Sequence, residues 1–443
     1  MNRAERRERA LKDKHLEQLE KRRQRSIERS AAIEDEVEIA TEAPPAEEST
    51  KRNSRNLFSK VFYVAVVLLS AAFLFFGNMV FSPTDELPSE AADMFLYHAT
   101  IREVLDRTEE SFELSPGFYF EETALNFKAE ITRGEKRGEM VTVQHTISDM
   151  VEVGEREPEV GDRVLIASAE HFDSYIFLEL QRINYIIILA AIFFLLVVAL
   201  GRMKGFNSII ALAFTCLAVF MVFIPSILAG FNVYLMAIVI CTYAIASTFL
   251  IVIGPNKKSI AAMIGCLGGV LLAGLMMFFM DGIMHLTGLV EQESRSLLYL
   301  PLETPLDLRA ILFAGVIIGA TGAIMDVAMS ISSALWEVRL AGKDTSFRSL
   351  MKSGIEIGKD VLGTMLNTLI LAYIGSSMTI ILLFYAHATS MTELMNQEMI
   401  IVEFLRALVG SFGMLFAIPL TAAICAWWFT KQRRNPQPLQ TAD

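Results

Sequence analysis

The chain has 443 residues, of which 53% are hydrophobic and only 20% are charged, and its formal net charge is −11 at pH 7. A water-exposed protein of this length cannot bury so large an apolar fraction. The composition therefore indicates a protein that crosses a membrane several times, and it excludes disordered, collagen-like and disulfide-rich secreted chains. The lipid bilayer is the first partner it implies, and no nucleic-acid partner is expected.

The first 60 residues are polar, and their charge changes sign along the chain. Residues 1–30 hold 11 Lys and Arg against 6 Asp and Glu, which predicts a basic cytoplasmic helix or a disordered tail. Residues 31–60 begin as an acidic stretch rich in Ala, Pro and Glu and end as a basic flank. This composition predicts a flexible linker in front of the first membrane span.

Eight segments are apolar over about 20 residues, the length that a helix needs to cross the hydrocarbon layer. The predicted spans are residues 61–81, 183–201, 208–229, 231–253, 260–280, 309–333, 362–386 and 404–430. Because a long polar stretch precedes the first span, it is expected to be an uncleaved anchor. The predicted fold class is a mainly α membrane protein with eight transmembrane helices. Seven of them form a domain over residues 183–430, and a cytoplasmic tail follows over residues 431–443.

Lys and Arg collect beside every second connection between the predicted spans, including the flank before the first span and the tail after the last. Basic residues favour the cytoplasmic side of a membrane, so both termini are predicted to be cytoplasmic. Residues 82–182, with 23 acidic and 9 basic residues, then lie on the extracytoplasmic side.

This extracytoplasmic segment alternates apolar and polar side chains in short runs, which is typical of β-strands. The polar sequence GEKRGE at residues 134–139 separates two such runs and predicts a hairpin connection. The sequence VGDRVLIA at residues 160–167 predicts a closing strand entered by a Gly-Asp turn. The segment is therefore predicted to be a small β domain inserted between helices 1 and 2.

Asp326 lies inside the sixth predicted span, where an ionisable side chain costs ~2.5–3.5 kcal/mol. At helical spacing it shares one face with Ser330 and with Gly315, Gly319 and Gly322. Two interpretations follow. The glycines form a seam that lets another helix approach closely, with Asp326 bonded to a partner, or the carboxylate faces an internal cavity.

The seventh span has a polar approach and polar groups inside the membrane. Glu356, Lys359 and Asp360 are predicted to form a cytoplasmic gate. Asn367, Thr368 and Tyr373 are predicted to line a substrate path with Asp326 and Ser330, and Gly363 is predicted to permit helix packing or a bend.

Two further groups of polar residues lie near the outer ends of the spans. Glu403 and Arg406 form an i,i+3 pair at the start of the last span and are expected to neutralise each other. Asp281, His285 and His387 are weak candidates for a metal site, because their spacing carries no motif. No cofactor is expected.

Three segments carry a family resemblance. They are GATGAIMDVAMSISSAL at 319–335, EIGKDVLGTMLNTLILAYIGSS at 356–377 and SFGMLFAIPLTA at 411–422. Together the chain over about residues 95–430 resembles the YibE/F family of bacterial multi-pass membrane proteins, although Lys359 stands where the family usually has Arg. The resemblance implies a bacterial cell membrane location, several spans and an extracytoplasmic β domain, but no reaction.

The sequence leaves three classes of function open. A secondary transporter or permease for an unidentified small solute, with cations as one candidate class, is favoured, since the chain has polar groups at membrane depth and no P-loop for nucleotides. A membrane scaffold or sensor that binds a ligand or partner through its β domain is the alternative. An intramembrane aspartyl enzyme is disfavoured, because Asp326 and Asp360 lie at different depths. A homo-oligomer or a partner membrane subunit remains open.

Overall fold

The computed structural model describes residues 46–81, 94–115, 118–148, 156–169, 175–290, 292–300, 302, 304–341, 346–387 and 390–431. The predicted tail at 1–30, the first half of the predicted linker and almost all of the tail at 431–443 lie outside these residues. The chain forms two compact units, Met1–Ala65 and Val66–Asp443. All packing described below lies within the second unit.

The helices are α1 (Ala46–Phe81), α2 (Ile183–Ala218), α3 (Ile224–Leu228), α4 (Val233–Val252), α5 (Lys257–Met284), α6 (Gln292–Ser296), α7 (Leu308–Ala341), α8 (Phe347–Ser376), α9 (Met378–His387), α10 (Met391–Asn396) and α11 (Glu398–Lys431). A π-helical turn at Val219–Phe223 joins α2 to α3, and a 3₁₀ turn at Leu297–Tyr299 follows α6. The strands are β1 (Met94–Ser115), β2 (Phe118–Ile131), β3 (Met140–Ser148), β4 (Arg163–Ala169) and β5 (Tyr175–Leu180).

Seven helical segments among the described residues are long and apolar enough to cross a membrane, which confirms the prediction of a multi-span membrane protein. They are Val61–Phe81, Ile183–Leu228, Val233–Val252, Lys257–Met284, Leu308–Ala341, Phe347–Ser376 and Glu398–Lys431. The second and third predicted spans fall within one 46-residue segment, Ile183–Leu228. The seventh predicted span is divided between α8 and α9.

The segment Ile183–Leu228 is not one straight helix. At Arg202 the backbone leaves the helical region, with φ 51° and ψ −131°. A Cβ atom on Gly205 would overlap the carbonyl oxygen of Val197, although residues eight apart in a continuous helix are separated by about 12 Å along the axis. The chain therefore turns back on itself at Arg202, and α2 consists of two helical arms.

Strands β1 to β5 form a closed five-stranded barrel in the order β1-β2-β3-β5-β4. Among the described strand pairings, β3 and β5 pair in parallel and the other neighbours are antiparallel. The predicted hairpin at GEKRGE is confirmed, since β2 ends at Ile131 and β3 begins at Met140, and Gly134 and Gly138 have positive φ values. The predicted closing strand is β4, which pairs with both β1 and β5. Inward-facing apolar side chains fill the barrel, including Ile101, Phe127 and Ile166.

Lys136 connects this hairpin turn to strands β5 and β1. Its Nζ atom donates a hydrogen bond of 3.0 Å to the Tyr175 hydroxyl and lies 5.5 Å from the centroid of the Tyr97 ring. The hydrogen bond to Tyr175 raises the pKa of Lys136 above its ordinary value of 10.5. A pKa raised in the folded state means that the stabilisation is complete below pH ~10.4 and is lost as the pH rises through the folded-state value.

We therefore expect Lys136→Gln to lower the unfolding temperature of the barrel at pH 8. The unfolding temperature of the variant should also fall less than that of the unmodified protein as the pH rises above about 10. Near-UV circular dichroism of the full-length protein during heating includes the signals of Tyr97 and Tyr175, the two rings beside Lys136, and the comparison of variants isolates their part. Arg133→Gln changes an exposed cation in the same turn and serves as the control. Equal unfolding temperatures for the two variants at pH 8 would contradict this role of Lys136.

The helical core is built around α11, which packs against α5, α7 and α8. Glycines allow this close approach. A Cβ atom on Gly265 would stand 2.8 Å from the Thr421 Cα atom. A Cβ atom on Gly269 would stand 2.8 Å from the Ala417 Cβ atom and 2.9 Å from the Gly413 carbonyl oxygen. Gly354 and Gly358 of α8 also lie against α11, at Ala422 and Ile418, so the packing glycines of the core lie on α5, α8 and α11.

Gly315, Gly319, Gly322 and Gly363 were predicted to pack helices together, and within the described part of the single chain only Gly319 meets another helix. A Cβ atom on Gly315, Gly322 or Gly363 would have no neighbouring atom within 4 Å, and Gly319 is close only to the Tyr373 hydroxyl. The physical reason is that α7 buries its opposite side, so the glycine face stays open.

Candidate functional site

Asp326 lies near the middle of α7, about 27 Å from its first residue and about 23 Å from its last. Its side chain is exposed, and among the described residues it has no hydrogen-bond or ion-pair partner. Gly315, Gly319 and Gly322 are also exposed and continue the same helix face toward Leu308. We call these four residues the Asp326 face. It is an open helix surface with a carboxylate near the middle of α7.

Tyr373 of α8 reaches the Asp326 face. Its hydroxyl oxygen lies 3.3 Å from the point where a Cβ atom would stand on Gly319. This contact fixes the relative depth of α7 and α8, which run in opposite directions. Asp326 is seven residues from Gly319 and Asn367 is six residues from Tyr373, and both lie on the same side of this contact.

Lying on the same side of this contact does not bring Asn367 to the Asp326 face. At 100° per residue, Asn367 points about 120° away from Tyr373 around α8, and its side chain is exposed. Among the described residues, no hydrogen bond joins Asp326, Asn367 and Tyr373. The structure thus brings Tyr373 to the predicted path, and it leaves Asn367 on another side of its helix.

The other predicted path and gate residues have local partners. The Thr368 hydroxyl donates to the Thr364 carbonyl oxygen at 3.1 Å, which satisfies it inside its own helix. Ser330 is half-buried. At the cytoplasmic approach Lys359 forms an exposed ion pair with Glu356 at 3.1 Å, and Asp360 is exposed. These gate residues lie on the part of α8 that precedes the apolar stretch.

A second polar cluster lies between α8 and α11, and sequence reasoning missed its burial. Glu403 is only 8% exposed. Its Oε1 atom accepts a hydrogen bond of 2.7 Å from Arg406, as the i,i+3 spacing predicted, but its Oε2 atom has no partner among the described residues. Glu403 and Tyr373 line the same small cavity. The signal in the sequence was an acid inside the apolar start of the last span.

The weak metal candidates are not assembled into a site. Asp281 is buried and binds Arg309 through both carboxylate oxygens, at 2.6 and 3.3 Å. His285 ends α5 in a left-handed conformation with φ 53°. The Nδ1 atom of His387 lies 2.8 Å from the Leu383 carbonyl oxygen. In the part of the chain that the structure describes, no three His, Cys, Asp or Glu side chains are grouped to hold a metal ion.

Comparison with protein families gives one finding. The family of YibE/F-like proteins matches residues 189–431, which is more than half of the chain. The chain therefore belongs to this family, as the resemblance of its helices predicted, and it is a membrane protein. The match covers the Asp326 face, α8 and the cluster of Tyr373, Glu403 and Arg406. Comparisons with curated proteins and with solved structures find no match.

Proposed function

We propose that this member of the YibE/F family is a secondary transporter or permease of the bacterial cell membrane, with a small cation as the favoured class of solute. The observation that carries the proposal is Asp326. It lies at the middle of α7, it is exposed, and it has no polar partner among the described residues. No catalytic step is proposed.

The bilayer restricts where a carboxylate such as that of Asp326 can be placed. A charged side chain at the centre of a bilayer costs ~2.5–3.5 kcal/mol, and such residues almost always face a water-filled cavity or another protein group. Gly315 and Gly322 beside Asp326 leave a shallow surface with no atom within 4 Å of their Cβ positions, and Gly319 meets the Tyr373 hydroxyl. Water and a cation in that surface would compensate the charge, and protonation of Asp326 would couple movement to the proton gradient.

An aspartyl enzyme is not supported by the same geometry. Starting from the contact between Gly319 and Tyr373, Asp326 lies seven residues and Asp360 thirteen residues toward the cytoplasmic side. Asp360 thus lies six residues of helix, about 9 Å of rise, further from this contact than Asp326 does. Two carboxylates that share a proton must be in hydrogen-bond contact.

The proposed topology has eight crossings, with both termini in the cytoplasm and the barrel outside. The turn at Arg202 supports it, because 46 residues of helix would be about 69 Å long, more than twice the hydrocarbon thickness. With two crossings between Ile183 and Leu228, the basic connections at Lys257–Lys258 and after α7 both lie inside.

The test is flux into vesicles. Purified protein in proteoliposomes loaded with a pH-sensitive dye should change the internal pH when alkali-metal, divalent or alkylammonium cations are added, because a carboxylate that binds either a cation or a proton exchanges one for the other. Asp326→Asn should reduce this flux to the level of empty vesicles, since an amide cannot exchange a proton. Glu337→Gln is the matched control, because it removes an exposed acid at the cytoplasmic end of the same helix. Flux that equals empty vesicles for every cation with the unmodified protein would reject the transporter.

A scaffold or sensor is the second candidate, and one feature of the barrel favours it. Leu96 and Ile176 are 61% and 46% exposed, and both pair with Ala167 across neighbouring strands. They form a short apolar row on the outer surface of the barrel, which suits contact with a partner. If a chain without residues 82–182 still transports, the barrel is not part of the transport path, and its role is to regulate the protein or to bind a partner. In a scaffold or sensor, a partner subunit or a second copy of the chain would cover the Asp326 face.

A further inference from the structure

A cavity that the proposed transport path does not include lies where α3 ends and where α4 and α7 begin. We call it the outer cavity, because the proposed topology places these helix ends outside. It holds about 150 Å³, a volume in which an engineered protein cavity accommodates benzene, so a ligand of about six heavy atoms fits. Its two walls meet at one end, where the Thr304 Oγ1 atom lies 2.8 Å from the position of a Cβ atom on Gly230.

The outer cavity has polar and apolar walls, and water reaches it. Its polar side chains are those of Asn232, Tyr234, Thr304 and Asp307. Asn232, Thr304 and Asp307 are exposed, in contrast to the buried oxygen of Glu403. The apolar side chains include those of Ile227, Phe231, Pro305 and Leu306. A ligand with one polar end and one apolar end therefore matches these walls.

Asp307 is the one charged residue among those that line the outer cavity. Its Oδ1 atom accepts a hydrogen bond of 3.1 Å from the Ala310 amide and so caps α7. Its Oδ2 atom has no hydrogen-bond or ion-pair partner among the described residues. The nearest basic residue in the sequence, Arg309, is bound by Asp281 through both carboxylate oxygens, at 2.6 and 3.3 Å. The outer cavity therefore carries one negative charge that no neighbouring cation is shown to compensate.

This charge and the apolar walls select the ligand. An anion would be repelled by Asp307. Divalent metal ions are held by several oxygen ligands, and in the described part of the chain Asp307 is not grouped with two further His, Cys, Asp or Glu side chains. An ammonium group donates hydrogen bonds to a carboxylate, and aromatic rings such as that of Phe231 attract its charge. A short alkyl chain suits the apolar part of the walls.

We propose that the outer cavity binds a small primary alkylammonium ion, with the ammonium group on Asp307 Oδ2 and the alkyl chain against Ile227, Phe231 and Leu306. The inference goes beyond the proposed function, because binding at the first turn of α7 requires neither Asp326 nor transport. Asp326 lies nineteen residues further along α7, about 28 Å away.

The test is calorimetric titration of the purified full-length protein with n-butylammonium chloride at constant ionic strength. Saturable binding is expected, and it should be about tenfold or more tighter than that of methylammonium, since each buried CH₂ group contributes up to about fourfold. n-Butanol has the same alkyl chain without the charge and should bind at least about tenfold more weakly. Sodium and magnesium ions should not displace the amine. Absence of saturable amine binding, equal affinity for n-butanol, or displacement by either metal ion would overturn the proposal.

Two variants locate the site. Asp307→Asn removes the charge but keeps an oxygen that can cap α7, and it should weaken amine binding by about tenfold to a hundredfold, the value of one charged hydrogen bond. Phe231→Ala removes an apolar wall that is 46% exposed and should weaken n-butylammonium binding at least about fourfold. If Asp307→Asn does not fold, Phe231→Ala decides the matter.

The control is Glu293→Gln, which removes an exposed acid of α6 that does not line the outer cavity. Its affinity for n-butylammonium should equal that of the unmodified protein. Unchanged affinity in the cavity variants that fold, or an equal loss in Glu293→Gln, would overturn the proposal.

Asp326→Asn separates this proposal from the transporter. It should leave the affinity for n-butylammonium unchanged while it abolishes flux in vesicles. Amine binding without flux of any cation in the unmodified protein would reject the transporter and keep the outer cavity as a ligand site. Flux without saturable amine binding would reject the outer cavity and keep the transporter.

Discussion

A cysteine placed at Met203 should react with a membrane-impermeant maleimide only when the reagent reaches the cytoplasmic side of the membrane. Met203 is 71% exposed and follows Arg202, where the backbone leaves the helix. The parent chain carries Cys216→Ala, because Cys216 is exposed while the other three cysteines are buried. Inverted vesicles should therefore be labelled almost completely, and intact cells should not be labelled.

The physical reason is the distribution of basic residues around the Arg202 turn. Arg202 and Lys204 lie at the turn itself, and Lys257 and Lys258 begin α5. If Ile183–Leu228 crossed once, every later connection would change sides, so the basic ones would lie outside and the acidic ones inside. Two crossings avoid this inversion of the charge rule.

Phe231→Cys is the matched control for this labelling. Phe231 is 46% exposed and lies in the connection between α3 and α4, which the eight-crossing topology puts outside. It should react in intact cells and be protected in inverted vesicles. A Met203 cysteine that reacts from neither side would indicate one long crossing, and reaction from outside would reverse the whole orientation.

Much of the fold could be predicted, because the signals are local. A run of about 20 apolar residues has few alternatives to a membrane helix, and the alternating strands around GEKRGE contain two glycines at the positions where the chain turns. The parallel contact between β3 and β5 could not be predicted in this way. It joins segments that are distant in sequence, and no local pattern specifies such a pairing.

The site was predicted less well, because periodicity gives the face of a helix but not its neighbour. The stripe of Gly315, Gly319 and Gly322 has the spacing of a packing seam, yet α7 buries the opposite side. Asp326 and Asn367 were expected to converge, but the orientation of α8 separates them. The cavity beside Glu403 depends on three helices, so the residues of the last span alone could not indicate it.

Gly269→Leu should prevent the helical domain from folding, because this glycine lies where α5, α7 and α11 meet. A Cβ atom there would stand 2.8 Å from Ala417 Cβ, 2.9 Å from the Gly413 carbonyl oxygen and 3.1 Å from Ile324 Cγ2. One of these neighbours is backbone and cannot move without displacing α11. Overpacking typically costs ~1–3 kcal/mol, and Gly269→Ala should lie in that range.

The control for this position is Gly282→Ala on the same helix. A Cβ atom on Gly282 would have no neighbour within 4 Å, so the change should be neutral or stabilise the helix by ~0.5–1 kcal/mol. Size-exclusion chromatography and thermal unfolding of the detergent-solubilised proteins measure both effects.

Gly322→Ala, which also has open space, should fold like Gly282→Ala. If Gly322→Ala nevertheless lost flux in vesicles, the Asp326 face would be a working surface rather than a packing surface, because the added methyl group touches nothing inside the single chain. If Gly269→Leu folded with an unchanged unfolding temperature, the close approach of α5 to α11 would be wrong.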